Sequence, residues 1–151
     1  MMQLADKELI RSAAHDWLAE HCGELDAYIA QVGSVSALAD DDLRRIAVRL
    51  PTMLYALTSL LVDSTIYSDV ARAVGEYAWH QHYAACAEKA HTKCAAYADG
   101  QADPRAEIAA KAILVGVRAR LDAAIAVQDG VKKVISARDM DRQVFRREVA
   151  R

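Results

Sequence analysis

From Thr52 to Ala98 the chain contains no proline and a single glycine, Gly75. Proline and glycine are the residues that most often end helices and shape turns, so such a stretch has little to stop a helix. Within it, Met53, Leu57, Leu60, Ser64, Tyr67, Ala71, Val74, Ala78, Gln81 and Ala85 repeat at alternating steps of four and three. That is a heptad-like seam, the pattern of a helix lying along a partner. Pro51 suits a first helical turn, so the pattern predicts a helix from Pro51 to about Ala98. At 1.5 Å per residue, a helix of about 45 residues spans roughly 70 Å.

The clearest turn in the chain follows, Asp99-Gly100-Gln101-Ala102-Asp103-Pro104. Gly100 suits a left-handed C-cap. Asp103 suits an N-cap, with Pro104 at the first helical position and Glu107 in the first turn. A second long helix is expected from about Pro104 toward Glu148. Its seam, Leu114, Val117, Leu121, Ala124, Gln128, Val131 and Ile135, keeps steps of three and four without a break. Two long helices joined by about five residues run antiparallel.

Ahead of this hairpin, Leu9, Ala13 and Trp17, with Ala14 and Leu18, predict a helix from about Ala5 to Glu24. Leu25 to Val32 reads as a further helical stretch, and Gly33 to Ser36 as a loop. Asp40, as N-cap, opens a short second helix with Asp41 and Asp42 where the helix dipole favours anions. Arg44, Arg45 and Arg49 follow toward its other end, and it stops before Pro51. The expected fold is therefore all-α: a long antiparallel, coiled-coil-like helical hairpin with two shorter N-terminal helices. The acidic segment 1–50 is expected to pack on hairpin 51–151 within a single domain.

A chain of 151 residues suits one domain. Two prolines and six glycines are too few for a turn-rich all-β protein. Three cysteines in no regular framework, without a secretory-type N-terminus, point to the cytoplasm, the host cytoplasm for a phage-encoded chain. No run reaches the roughly 20 apolar residues of a bilayer span, so no membrane association is expected. The apolar residues Leu54, Leu61, Ile66, Val70, Ile113 and Ile125 fall outside the seams and need cover. This predicts a homo-oligomer, with Leu114, Val117, Leu121, Val131 and Ile135 of the cleaner seam at the interface.

Charge is unevenly spread. Residues 1–42 carry two bases against nine acids, and residues 132–151 seven bases against three acids. Such asymmetry predicts either an acid–base contact between ends or subunits, or a basic segment for an anionic partner. Lys132, Lys133, Arg138, Arg142, Arg146 and Arg147 supply that segment. Arg138, Arg142 and Arg146, at steps of four, share one helical face beside Phe145. Such a stripe can engage phosphates with salt-dependent affinity. Lys89 and Lys93 form a second, weaker basic site.

Other constellations carry less. His82 and Cys86 share one helical face, and His91 and Cys94 another, so they do not converge on one ion within a single helix. Asp40 to Asp42 point in different directions and read as capping. There is no G-x-S-x-G elbow, phosphate-binding loop or Glu-x-x-His pair. Neither an enzyme nor a cofactor is expected.

The long helix Leu54 to Tyr97, the turn at Tyr97-Ala98-Asp99-Gly100, the second long helix and the basic ending resemble phage recombination mediators of the UvsY type. In that ending the resemblance rests on Val134-Ile135-Ser136-Ala137-Arg138-Asp139-Met140 and Phe145. It covers residues 50–146. It implies an oligomeric single-stranded-DNA-binding protein that helps a RecA-like recombinase displace single-strand-binding protein. Its DNA contacts would fall on bases just before the turn, where this chain has Lys89 and Lys93. The rival expectations are a structural or adaptor protein in phage assembly that binds no DNA, and a metal-binding regulator using His82, Cys86, His91 and Cys94.

Overall fold

The computed structural model describes residues 4–88 and 90–149. Lys89, one of the bases singled out above, lies outside the described residues. The chain is all-α. Its elements are α1 (Leu4–Val32), a 3-10 turn (Val35–Ala37), α2 (Asp40–Ala85), α3 (His91–Gln101) and α4 (Arg105–Val149). The long helices α2 and α4 pack against each other as a helical hairpin.

Several boundaries differ from the sequence reading. The short helix expected to stop before Pro51 is the opening of α2, which carries Pro51 in its interior. A mid-helix proline removes one backbone hydrogen bond, at a cost of ~3 kcal/mol. Burial of Leu43, Ile46 and Leu50 before it and Leu57 after it outweighs that loss. Segment 25–32 continues α1 through Gly23. Helix α2 stops at Ala85 rather than near Ala98, and α3 turns back along it. There Trp79 Nε1 donates to Asp99 Oδ1 at 2.7 Å, and the Tyr83 and His91 rings lie 5.4 Å apart. No proline or glycine marks that break, so tertiary contacts make it. Gly100 lies inside α3, and Ala102 is the C-cap. Only Gly33, among the described residues, has a positive φ (55°), and it closes α1. Asp103 caps α4 as expected, accepting a hydrogen bond from the Arg105 amide at 3.1 Å.

The chain forms two compact units. One joins Met1–His21 to Leu60–Val117, and the other joins Cys22–Ser59 to Arg118–Arg151. In the second unit the core is built mainly of large residues, Leu25, Val32, Leu43, Ile46, Leu50, Leu57 and Val131, beside Cys22 and Ala124. An Arg120–Asp26 pair (2.8 Å) ties α4 to α1, and an Arg49–Glu24 pair (3.0 Å) ties α2 to α1. The Arg49 guanidinium also lies 4.9 Å from the centre of the Tyr28 ring, within cation–π range.

In the first unit the core is made largely of small groups. Ala14, Ser64, Cys94, Ala98 and Ala110 are buried beside Ile10, Leu18, Ile113 and Val117. The inward line of α2 here runs Ser64, Ser68, Ala71, Gly75, Ala78 and His82, buried or half-buried throughout. That line departs from the expected seam, which put Tyr67, Val74 and Gln81 inward; all three are exposed. A straight helix turns 3.6 residues per turn, so a strict seven-residue repeat drifts off the contact line. Small residues let backbones approach. A Cβ on Gly75 would come within 3.8 Å of Glu107 Oε2, and one on Gly116 within 2.3 Å of Leu18 Cδ1. The seam of α4 is as expected: Val117, Ala124 and Val131 are buried, and Leu114, Leu121, Gln128 and Ile135 half-buried.

Candidate functional site

The basic end of α4 is engaged within its own unit. Arg138 Nη1 donates to Asp40 Oδ1 at 2.7 Å, and its Nη2 donates to the Ser36 carbonyl at 3.1 Å. Arg142 pairs with the second oxygen of the same carboxylate and also reaches Asp139 at 3.5 Å. Asp40 opens α2, where the helix dipole already favours an anion. Its side chain therefore fastens the end of α4 to the start of α2. Of the expected phosphate-binding stripe, Arg138 and Arg142 are thus committed to an internal carboxylate. Lys132 pairs with Asp129 (3.6 Å), and Lys93 with Glu88 (3.3 Å). Lys133, Arg146 and Arg147 make no ion pair among the described residues. Every residue from Asp139 to Val149 is exposed, including Met140, Val144 and Phe145.

The residues expected at an oligomer interface need correction. Val117 (0% exposed) and Val131 (1% exposed) are consumed by the cores of their own units. Leu114, Leu121 and Ile135 are half-buried beside them. The α4 seam faces inward because it is the cleaner of the two seams.

The unpartnered apolar surface lies instead on α2. In the first unit, Val62, Ile66, Tyr67, Val70, Val74 and Tyr77 are between 51% and 66% exposed. Val62, Ile66, Val70 and Tyr77, with Ala73, occupy the side of the helix away from the small-residue line, while Tyr67 and Val74 flank that line. Ile66 and Val70 stood out in the sequence as needing cover; the others did not, because the inward seam was read through Tyr67 and Val74. The available signal was a second seven-residue register, Val48, Thr52, Tyr55, Ser59, Val62 and Ile66. These two registers also make α2 long and apolar enough, by length and composition, to cross a membrane. Little of that apolar stretch is buried within the chain.

Near the end of α2 the first unit also holds a cavity of about 550 Å³, lined by Val74, Gly75, Trp79, His82, Pro104 and Glu107, among others. Its walls are mainly apolar. Trp79 stacks on Tyr83 with ring centres 5.3 Å apart. His82, Cys86, His91 and Cys94 do not assemble into a metal site: among the described residues, no group of three or more His, Cys, Asp or Glu side chains is placed to hold an ion. Cys94 Sγ donates to the Glu88 carbonyl at 3.2 Å, and the neighbouring Cys86 side chain, followed by burial, pushes the Cys94 thiol up from its ordinary range. Cys22, in the other unit, is raised mainly by burial, with Arg120 opposing and Asp26 adding to the shift.

No protein-family model, no curated protein and no solved structure matches the chain.

Proposed function

We propose that this chain is a non-enzymatic, self-associating helical scaffold or adaptor, and that the outward face of α2 binds a second copy of itself. The observation behind this reading is the row of large apolar side chains at Val62, Ile66, Val70 and Tyr77, on the side of α2 away from its own core. Monomers seldom leave such a contiguous apolar patch uncovered.

Two features favour a second copy. In an antiparallel pairing centred between Val70 and Ala71, Val62, Ile66, Val70, Ala73 and Tyr77 interleave with the same residues of the copy. That register sets Asp69 opposite the partner's Arg72, twice over, as a two-fold interface requires. The area is also adequate. The interleaving side chains together with the polar residues that flank them offer on the order of 600 Å² per copy, at the lower end for a stable interface. Light scattering is expected to give a mass above that of one chain, and Ile66→Asp with Val70→Asp to reduce it to one chain. Asp69→Arg is expected to weaken association, and adding Arg72→Asp to restore it. A wild-type monomer, or a monomer that binds lipid vesicles through this face, would refute the self-association.

A second reading is that of a single-stranded-DNA-binding mediator acting with a RecA-like recombinase and single-strand-binding protein. Lys133, Arg146 and Arg147, exposed and without an acidic partner among the described residues, favour it. Fluorescence anisotropy with a labelled single-stranded oligonucleotide tests it. The expected result is binding at low salt that weakens steeply as salt rises and is lost in a Lys133, Arg146, Arg147→Ala variant. No binding at low salt would remove this reading.

A further inference from the structure

The cavity near the end of α2 is walled on one side by that helix and on the other by the α3–α4 turn and the first turn of α4. The outward row Val62, Ile66, Val70 and Tyr77 takes no part in its walls. At about 550 Å³ it has the size of a small-molecule pocket. Gly75 makes the room. With no side chain there, the nearest group is the Glu107 carboxylate, its Oε2 3.8 Å from where a Cβ would stand. Trp79 supplies an aromatic wall, held in place by its hydrogen bond to Asp99 and by the stacked ring of Tyr83.

The charge of these walls has one sign. Glu76, Asp103 and Glu107 line the cavity, and no lysine or arginine does. Asp103 is already engaged: it accepts from the Arg105 amide and pairs with the Arg105 guanidinium at 3.5 Å. Glu107 is half-buried and makes no ion pair or hydrogen bond among the described residues. A poorly solvated carboxylate beside apolar walls gains most from a cation that donates a hydrogen bond to it. A tryptophan face attracts the same charge. We propose that this cavity binds a small organic cation with an apolar body, of the arylalkylammonium class. The body fills the space beside Gly75, against Trp79 and Pro104, and the ammonium group donates to a Glu107 oxygen. A metal ion does not suit the site, since its walls are mainly apolar and the described residues assemble no group of three ligands. An anion would meet carboxylates.

The test is calorimetric titration of the full chain with naphthylmethylammonium and with its neutral counterpart, naphthylmethanol, at neutral pH and low salt. The amine is protonated there, as a lysine side chain is. It is expected to bind about tenfold tighter than the alcohol, a ratio that one charge-assisted hydrogen bond supports. Glu107→Gln should bring the affinity of the amine down to that of the alcohol. Gly75→Leu fills the space and favours the helix, so it should abolish binding of both compounds with helicity retained by circular dichroism. The chain has two tryptophans, so their indole N–H resonances report where the ligand sits: that of Trp79 should shift on binding and that of Trp17 should not. Equal affinity for amine and alcohol, a preference that survives Glu107→Gln, a shift confined to Trp17, or no binding of either compound up to millimolar concentration would each overturn the assignment.

Discussion

Helix α2 behaves as two different helices in the two units it enters. Between residues 40 and 59 it buries Leu43, Ile46, Leu50 and Leu57. Between residues 60 and 85 its one buried side chain is that of Ser64, while Val62, Ile66, Val70 and Tyr77 face outward. Both stretches carry large apolar side chains, four leucines in the first and three valines and three tyrosines in the second, so the contrast is not one of apolar content. It is one of rotation: in the first unit a line of small residues takes the inward side, while Val62, Ile66, Val70 and Tyr77 lie on the other side. A helix stabilised by its own core puts large groups inward. A helix that presents large groups outward has apolar surface left for another molecule, which is the basis of the self-association proposed above.

Mutations at matched positions separate these two regimes. The largest effect is expected at Leu50, which is fully buried: Leu50→Ala should lower unfolding stability by about 2–5 kcal/mol. Val70→Ala should change it by no more than about 0.5 kcal/mol in dilute, monomeric protein, while weakening association. Urea unfolding of both variants, with light scattering on the second, reads the difference. An equal loss of monomer stability at the two positions would break the comparison. Next in size is the close approach in the first unit. Gly116→Ala drives a methyl group into Leu18, so a net destabilisation of about 1–3 kcal/mol is expected despite the better helix propensity of alanine. A gain in thermal midpoint would show that the helices there can separate at little cost.

The acid–base clamp of the second unit should matter less. Asp40→Asn leaves Arg138 and Arg142 without their shared carboxylate, and these groups are about a third to a half exposed. A loss of about 1 kcal/mol is expected, shrinking as salt screens the pairs. Unfolding at low and high ionic strength checks the sign. The same variant sharpens the nucleic-acid reading, because freeing two arginines should strengthen oligonucleotide binding if phosphates compete with Asp40. The smallest effect is expected at Cys22. Its thiol is held protonated in the folded chain, so the unfolded chain loses its proton first as pH rises. Stability should therefore be intact below about pH 8.5 and decline above it, and the decline should be shallower in Cys22→Ala. Urea midpoints at neutral and alkaline pH, compared between the two proteins, measure it.

The sequence alone determined the helical class, because the chain has few of the prolines and glycines that interrupt helices and repeats its apolar residues at helical spacing. It also determined the α3–α4 turn, where Asp103 caps α4 as its position requires, and the inward seam of α4, whose apolar residues form a single consistent register. The tertiary structure decided the rest. Packing of Leu43, Ile46, Leu50 and Leu57 carried α2 through Pro51, where local rules end a helix. Contacts among Trp79, Asp99, Tyr83 and His91 broke it after Ala85, where local rules continue one. The pairing of Asp40 with Arg138 and Arg142 turned an apparently free cationic stripe into an internal fastening; the opposed charges were legible, but not which groups would meet. The direction of the α2 faces was likewise undecided, because two registers compete along it. Periodicity identifies stripes, but only the neighbouring helices determine which stripe is covered.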